Sequence, residues 1–406
     1  MINKRNPNYR WYILALAMLT LASIGGAARL CMPVLFKEIG DDLGLSLAAI
    51  GTIWGMDPLA GVFIGLPSGL LVDRFGIKRS LTVLCILAGI FGALRGFSTN
   101  FVSLAAFMFL FGLMVAATPS ILPKVTAEWF SGERLGLANA LLTAAFSIGA
   151  MAATMFSATL LSPALGGWRN VMFFYGAPAV ALGFLWLFTA REPDKSENPE
   201  LLTAKIPFRQ AISHVIHIKN VWLIGLLALT TWGASMGLIG YLPLYLEKIG
   251  WTPASASGAI TALNAVFSIG SIPMVLLSDK LKSRKGVLIL STVALVVGLV
   301  LLPFVNTLGI WLVIIITGFL RSGAPSLLNV MIFETKGVGS TFGGTAIGLT
   351  STISMVGPFL SSPLGNSLAT DINPGLPFIF WSVLAAAGIP LLFLIKSRTS
   401  QPQFSS

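Results

Sequence analysis

The sequence predicts an all-α membrane protein in which twelve transmembrane helices form two six-helix, pseudo-symmetric halves around a central cavity. Three observations support this prediction. The chain of 406 residues is 55% hydrophobic and only 10% charged, with a mean hydropathy of +0.86, whereas soluble domains carry about 25% charge. Its apolar residues form twelve segments of membrane-spanning length, and landmark residues recur at equal spacings in both halves. This composition excludes a disordered chain, a nucleic-acid-binding module and an ordinary cytosolic enzyme.

A transmembrane helix requires about 20 predominantly apolar residues. Twelve segments meet this requirement and are numbered in chain order: 11–36, 47–71, 78–98, 101–123, 136–161, 169–190, 221–246, 256–278, 286–304, 309–333, 341–363 and 375–396. Several contain proline, which a helix bundle tolerates because neighbouring helices satisfy the freed backbone groups. The first segment is longer than a signal peptide and lacks a small-residue cleavage site, so we expect it in the mature protein.

The basic residues predict the orientation of these helices. With the N-terminus inside, 20 of the 26 Lys and Arg residues fall in cytoplasmic segments, and Arg29 and Arg321 fall inside the spans. Four fall in external segments, namely Lys37, Arg95, Arg169 and Lys248. The positive-inside rule then predicts an integral multi-pass protein of the plasma (bacterial inner) membrane with both termini cytoplasmic. The net charge of +11 follows from this topology, so membrane lipid rather than nucleic acid is the expected partner.

An internal repeat relates the two halves. In the first half, spacings of 6, 39, 7 and 9 residues separate Pro67, Asp73, Gly112, Pro119 and Glu128. In the second half, the same spacings separate Pro273, Asp279, Gly318, Pro325 and Glu334. We therefore expect a half at 1–190, a cytoplasmic linker at 191–220 and a second half at 221–406. This is the plan of a transporter whose substrate site lies between the halves near the midplane, with alternating access by rocking.

Cysteines and histidines are too few for a metal centre or a disulfide framework. Cys31 and Cys85 lie within apolar segments and are expected to be buried thiols, while His214 and His217 lie in the polar linker. An intramembrane enzyme would need a Ser/His or His/acid set inside the spans, which these positions do not supply. No phosphate-binding loop follows a strand, so ATP is not the expected energy source. The sequence therefore predicts neither an enzyme nor a cofactor.

Two local motifs resemble a known family. Residues 69–79 read GLLVDRFGIKR, which resembles the signature loop between helices 2 and 3 of the major facilitator superfamily. Residues 123–130 (PKVTAEWF) resemble its loop between helices 4 and 5, and the resemblance covers essentially the whole chain. It implies a secondary transporter in which helices 1, 4, 7 and 10 line the central cavity. It also implies that Asp73 and Arg74 form a gate that latches the cytoplasmic face in the outward-open state.

Departures from the superfamily's sequence patterns limit the choice of branches that this chain resembles. Many proton-driven exporters carry an arginine four residues before the helix-4 glycine, where this chain has Met108 before Gly112. The organic anion/cation symporters have a substrate-contacting arginine in helix 1, and Arg29 stands at that place. Their helix-4 acid would fall near Val115 and is missing. The nitrate and cyanate branches end helix 4 in strings similar to residues 119–130. The resemblance therefore points to anion-handling branches without selecting one.

Charged residues within the spans are the first candidates for the substrate site. A charge at the bilayer centre costs at least about 2.5–3.5 kcal/mol on insertion scales and usually has a function. Arg29, Asp57 and Arg321 lie well inside the predicted spans, and none has a charged counterpart in the other half. Arginine stays protonated when buried and binds carboxylates or phosphates bidentately. Two arginines against one acid leave the cavity positive, so an anion is the expected substrate.

Three roles remain open for Asp57. Asp57 is either a proton carrier or the counter-charge of Arg29 in the absence of substrate, and in the simplest alternative the pair only braces the fold. Arg321 has no obvious acidic partner in the sequence. Polar residues on the expected cavity helices 4, 7 and 10, together with Asn264 on helix 8, are further substrate-binding candidates, with helix packing as the alternative for each: Thr118, Trp232, Tyr241, Asn264 and Asn329.

The sequence therefore predicts a secondary active transporter for a small anion, with an organic carboxylate as the favoured substrate. Symport with H⁺ or Na⁺ is the favoured coupling. A monomer would suffice, because one chain contains both halves. The alternative is a proton-coupled exporter of drug-like or cationic compounds, which the missing helix-4 arginine and the positive cavity disfavour.

Overall fold

The computed structural model describes residues 9–191, apart from 66, 69–71, 73 and 74, and residues 208–395. All regular structure in this part of the chain is helical, as predicted. Eleven helical segments within these described ranges are long and apolar enough to cross a membrane. The remaining predicted helix, Gly339–Ser367, is also long enough but is rich in Gly, Ser and Thr. The protein is therefore an integral multi-pass membrane protein with the twelve-helix plan.

The first half consists of helices 1 to 6. Helix 1 runs over Tyr9–Leu43 and exceeds its predicted span at the C-terminal end. It is followed by Leu47–Ile64, Ile77–Leu94, Phe101–Trp129, Glu133–Phe156 with its continuation to Leu165, and Trp168–Thr189. Cys31 and Cys85 are buried free thiols, as expected.

The second half consists of helices 7 to 12. They run over Lys219–Lys248, Pro253–Lys280, Arg284–Leu301, Thr307–Arg321 with Ala324–Glu334, Gly339–Ser367, and Leu376–Ala386 with Gly388–Leu394. A short helix, Phe208–Val215, precedes them within the predicted linker. Residues 192–207 of that linker lie outside the described part of the chain.

Close helix crossings repeat between the halves. A Cβ atom added to Gly149 in helix 5 would lie 2.1 Å from the carbonyl oxygen of Ala22 in helix 1. In the second half, a Cβ on Gly357 in helix 11 would lie 2.1 Å from the carbonyl oxygen of Leu229 in helix 7. Only glycine allows two backbones to approach this closely. The same packing device therefore holds helices 1 and 5, and helices 7 and 11, together.

Two helices are irregular next to arginines. Helix 1 adopts a π-helical turn at Leu21–Ala27, which ends two residues before Arg29. Helix 10 is interrupted after Arg321, and its second part begins at Ala324. π-helical turns inside α-helices occur frequently at functional sites. Both irregularities fall on helices that the superfamily resemblance assigns to the cavity.

The apolar cores show where the two halves meet. One core contains residues of both halves and occupies the predicted external ends of the helices. There, the indole N–H of Trp54 in helix 2 donates to the carbonyl oxygen of Met236 in helix 7 at 3.0 Å. Toward the predicted cytoplasmic face, the first half has its own core and the second half has another. The halves are therefore joined at the predicted external end and form separate bodies at the other.

Candidate functional site

Three charged side chains are buried among the described residues. Asp57 is 2% exposed, Arg95 is 0% exposed and Arg321 is 8% exposed. The side chain of Arg29 is 16% exposed. Asp57 and Arg321 were predicted to lie inside the membrane spans, whereas Arg95 was assigned to an external segment. Burial of this kind requires either a partner of opposite charge or a function that uses the charge.

Arg29 and Asp57 form an ion pair within the first half. The Nε and Nη2 atoms of Arg29 both lie 2.6 Å from Oδ2 of Asp57. The backbone of Asp57 lies close to helix 4, because a Cβ on Gly112 would be 2.7 Å from its Cα atom. Helices 1, 2 and 4 therefore hold the pair between them. In this conformation Arg29 and Asp57 are paired with each other, which is one of the alternatives that the sequence leaves open.

The assignment of Arg95 to an external segment is wrong. Its Nε atom donates to the carbonyl oxygen of Gly92 at 3.0 Å, and its Nη2 atom donates to the carbonyl oxygen of Ala28 at 2.9 Å. The guanidinium carbon lies 4.2 Å from the ring centroid of Phe111. Arg95 also interacts electrostatically with Asp57. The apolar segment 78–98 contained this residue, so treating it as an intramembrane charge would have found it.

Arg321 faces a cavity of about 240 Å³ within the second half. Residues of helices 7 to 11 line this cavity. The guanidinium carbon of Arg321 lies 5.4 Å from the ring centroid of Phe267 in helix 8. Within the described part of the chain, Arg321 has no hydrogen-bond or ion-pair partner. The cavity therefore contains a buried cation without a protein counter-charge among these residues.

The predicted polar candidates divide into two groups. Trp232 and Asn329 line the cavity with Arg321, and the indole nitrogen of Trp232 is buried without a hydrogen-bond partner among the described residues. Asn264 lies three residues before the cavity residue Phe267, and in the described part of the chain its buried amide nitrogen also has no hydrogen-bond partner. The structure thus brings one cation and unsatisfied donors to the same region of the second half.

Two candidates are engaged elsewhere. The hydroxyl group of Tyr241 donates to the carbonyl oxygen of Pro374 at 2.9 Å, and its ring packs against Phe378 and Trp381. The hydroxyl group of Thr118 donates to the carbonyl oxygen of Val115, one turn earlier in its own helix, at 2.7 Å. Neither residue lines the cavity at Arg321. In this conformation both contribute to helix packing.

The predicted gate residues, Asp73 and Arg74, lie outside the described residues. The corresponding loop of the second half contains a contact of the expected kind. Arg284 at the start of helix 9 places Nη2 2.9 Å from Oε1 of Glu334 at the end of helix 10. This ion pair joins two helices of one half at the predicted cytoplasmic face.

Comparisons with known proteins agree with this architecture. The sequence profile of the Major Facilitator Superfamily matches residues 16–343 and 250–406. A "probable galactarate/D-glucarate transporter GudP" of Bacillus subtilis (strain 168) is 29% identical over 216 residues, covering 50% of this chain and 45% of the relative. A "3-(3-hydroxy-phenyl)propionate transporter" of Escherichia coli (strain K12) is 26% identical over 401 residues, covering 92% of this chain and 94% of the relative. The chain spans about half the length of the first curated relatives that it matches.

One solved structure has a similar fold. It is a bacterial homolog of the human lysosomal transporter Spinster, in an inward-facing and occupied conformation. The TM-score is 0.76 at 16% sequence identity, and the match covers 96% of this chain and 97% of the other. At this identity the likeness concerns the fold alone.

Proposed function

The chain belongs to the Major Facilitator Superfamily, and from this premise we propose that it is a secondary active transporter of a small organic carboxylate. The observation that carries the proposal is Arg321, a buried cation that faces a cavity without a counter-charge among the described residues. Arginine does not give up its proton in proteins. An anionic group on a bound substrate would supply the missing charge.

Carboxylate is the anion that suits this site. A guanidinium group binds a carboxylate through two parallel hydrogen bonds, which gives geometric selectivity as well as energy. The two curated relatives support the proposal through their names, since galactarate, glucarate and 3-(3-hydroxyphenyl)propionate are all carboxylates. This chain would use Arg321 as the anchor, with Trp232 and Asn329 as neighbouring contacts.

Alternating access would proceed by rocking of the two halves. The two halves share one core at the predicted external ends of the helices and have separate cores at the other end. With the orientation that the positive-inside rule predicts, this arrangement corresponds to a cavity closed to the outside and open to the cytoplasm. Both termini would then be cytoplasmic. Asp73 and Arg74 would latch the cytoplasmic face in the opposite state, as the superfamily resemblance implies.

Coupling to H⁺ or Na⁺ would involve the first half. Asp57 is the buried carboxylate among the described membrane-spanning residues. Its contacts with Arg29 favour the version in which Asp57 is a counter-charge that competes with substrate for Arg29. The Asp57→Asn variant tests this version in proteoliposomes. If it keeps concentrative uptake, Asp57 is not a proton carrier, whereas retained exchange with lost concentration would identify a proton carrier.

Ligand-induced stabilisation of the detergent-purified protein tests the substrate class. A ligand at 100 times its Kd should stabilise the folded state by about 2.7 kcal/mol. We expect a carboxylate to stabilise the wild type and to lose this effect in Arg321→Gln. The matched control is Arg209→Gln, which removes one positive charge from an exposed position and should respond like the wild type. Stabilisation by cationic amphiphiles, with no effect of any anion, would contradict the proposal in favour of an exporter of cations.

A further inference from the structure

Most of the hydroxyl groups around the Arg321 cavity, six of the seven in its lining, are committed to the protein's own backbone. Six of them donate to carbonyl oxygens at 2.6–3.0 Å, and all six acceptors lie in the protein. They belong to Thr231, Ser235, Ser291, Thr292, Thr350 and Ser354, all of which line the cavity. A hydroxyl group has one hydrogen to donate. These six side chains therefore offer acceptor lone pairs to a ligand and no free donor.

The remaining lining is mostly apolar. Aliphatic side chains come from several helices, including Ile224, Leu295 and Leu328, and aromatic rings come from Trp232 and Phe267. Arg321 is the one charged residue in this lining. The ring of Phe267 stands against the guanidinium group and restricts its position. The cavity thus has a single cationic end and a mostly apolar body, in which Asn329 and Ser351 are the polar residues besides the six hydroxyl groups.

The other buried arginines are not available to this cavity in the described conformation. Arg29 is paired with Asp57 through two short contacts. Arg95 directs its guanidinium group at backbone carbonyl oxygens of the first half. A second carboxylate on a substrate in the Arg321 cavity would therefore lose its water without gaining a cation when the cavity closes, which is strongly unfavourable.

From these contacts we propose that the substrate carries one carboxylate on an apolar, aromatic-sized body, and that the site selects against dicarboxylates. This inference rests on the proposed function, because it specifies the class of carboxylate that Arg321 anchors. Arg321 binds the carboxylate. The rings of Trp232 and Phe267, with the aliphatic lining, bury the body. The buried indole N–H of Trp232, which has no acceptor within the described ranges of the chain, can donate to a substrate oxygen.

A set of three probe ligands tests the proposal on the purified full chain by isothermal titration calorimetry. The probes are 3-phenylpropionate, its uncharged amide 3-phenylpropionamide, and the polyhydroxylated dicarboxylate D-glucarate. We expect 3-phenylpropionate to bind at least tenfold more tightly than either of the others. The amide tests the need for charge without any change to the protein, so this arm holds even where a variant fails to fold.

Two variants separate the charged end from the apolar body. Arg321→Lys keeps the charge but loses the bidentate geometry, and should weaken 3-phenylpropionate binding at least tenfold. Trp232→Leu should also weaken it about tenfold through lost ring contact. The matched control is Trp222→Leu on the same helix, which replaces a tryptophan that is 39% exposed and outside the cavity. We expect this control to bind like the wild type.

The outcomes distinguish this inference from the proposed function. Tighter binding of D-glucarate than of 3-phenylpropionate, with loss in Arg321→Gln, would overturn the inference and leave the carboxylate transporter in place. Equal binding of 3-phenylpropionate and its amide would overturn the role of Arg321 and therefore both proposals. An unchanged affinity in Trp232→Leu would overturn the assignment of the apolar body to this cavity.

Discussion

The buried ion pair of the first half makes a quantitative prediction. Asp57→Asn removes a carboxylate whose side chain is 3% exposed and leaves Arg29, 16% exposed, without its partner. At an effective dielectric constant of about 20, unit charges about 4 Å apart attract by about 4 kcal/mol. Breaking a buried pair from one side costs about 3–5 kcal/mol, because the remaining charge stays desolvated. We therefore expect Asp57→Asn to lower the free energy of unfolding by about 3 kcal/mol or more.

The reverse substitution should be less damaging. Arg29→Gln leaves Asp57 buried, but Arg95 remains in electrostatic contact with that carboxylate. Asp57→Asn, in contrast, leaves two arginines of the first half without the acid that they share. We expect Arg29→Gln to cost less than Asp57→Asn. The double variant should show a coupling energy of about 1–3 kcal/mol between the two positions.

Equilibrium unfolding in detergent micelles, followed by circular dichroism, measures these free energies. The matched control is the exposed pair of Lys37 and Asp41, which lies 3.5 Å apart with side chains 55% and 75% exposed. Asp41→Asn removes the same charge at the surface and should cost about 0.5 kcal/mol or less. Equal losses in Asp41→Asn and Asp57→Asn would refute the reasoning, since burial would then contribute nothing to the pair.

Two further predictions concern packing and pH. Gly149→Ala and Gly357→Ala should each destabilise the fold by about 1–3 kcal/mol or more, because each new Cβ meets a carbonyl oxygen at 2.1 Å. The control Gly344→Ala adds a Cβ with nothing within 4 Å and should be neutral or slightly stabilising. Equilibrium unfolding compares the stabilities of the three variants. Lys248 donates to Oδ1 of Asp371 at 2.9 Å and holds the pKa of that carboxyl below its ordinary value of 3.8. Because the folded-state pKa of Asp371 is lowered, its ion pair contributes to stability at neutral pH, and this contribution is lost as the pH falls through the acid range. The difference in melting temperature between wild type and Asp371→Asn should therefore be small near neutrality and vanish in acid.

The helical architecture could be predicted from the sequence because lipid allows few alternatives. Every backbone polar group must be satisfied within a membrane, so long apolar segments become helices. The spacing of Gly112 and Gly318 in the two halves reflects close packing against helices 2 and 8, respectively. Such contacts depend on small residues at fixed intervals, which a self-comparison of the sequence detects.

The partners of the buried charges could not be predicted in the same way. Arg29 and Asp57 are 28 residues apart, and Arg95 reaches Ala28 across 67 residues. These contacts depend on how helices 1, 2 and 3 rotate about their axes, and helices that are apolar nearly all round carry little information about rotation. Arg95 lies near the end of an apolar segment, a position that is equally compatible with an external loop. It is tertiary packing that directs its side chain inward.

The charge of Arg321 has a consequence for the transport cycle that we propose. Rocking of the halves would close the Arg321 cavity and remove water from its guanidinium group. Without a bound anion, closure would leave a desolvated cation, which is strongly unfavourable. A bound carboxylate neutralises that charge, so we expect the loaded protein to pass through the closed state more readily than the empty one. In proteoliposomes, exchange of labelled for unlabelled substrate should then be faster than net efflux, and equal rates would show that closure does not depend on the neutralisation of Arg321.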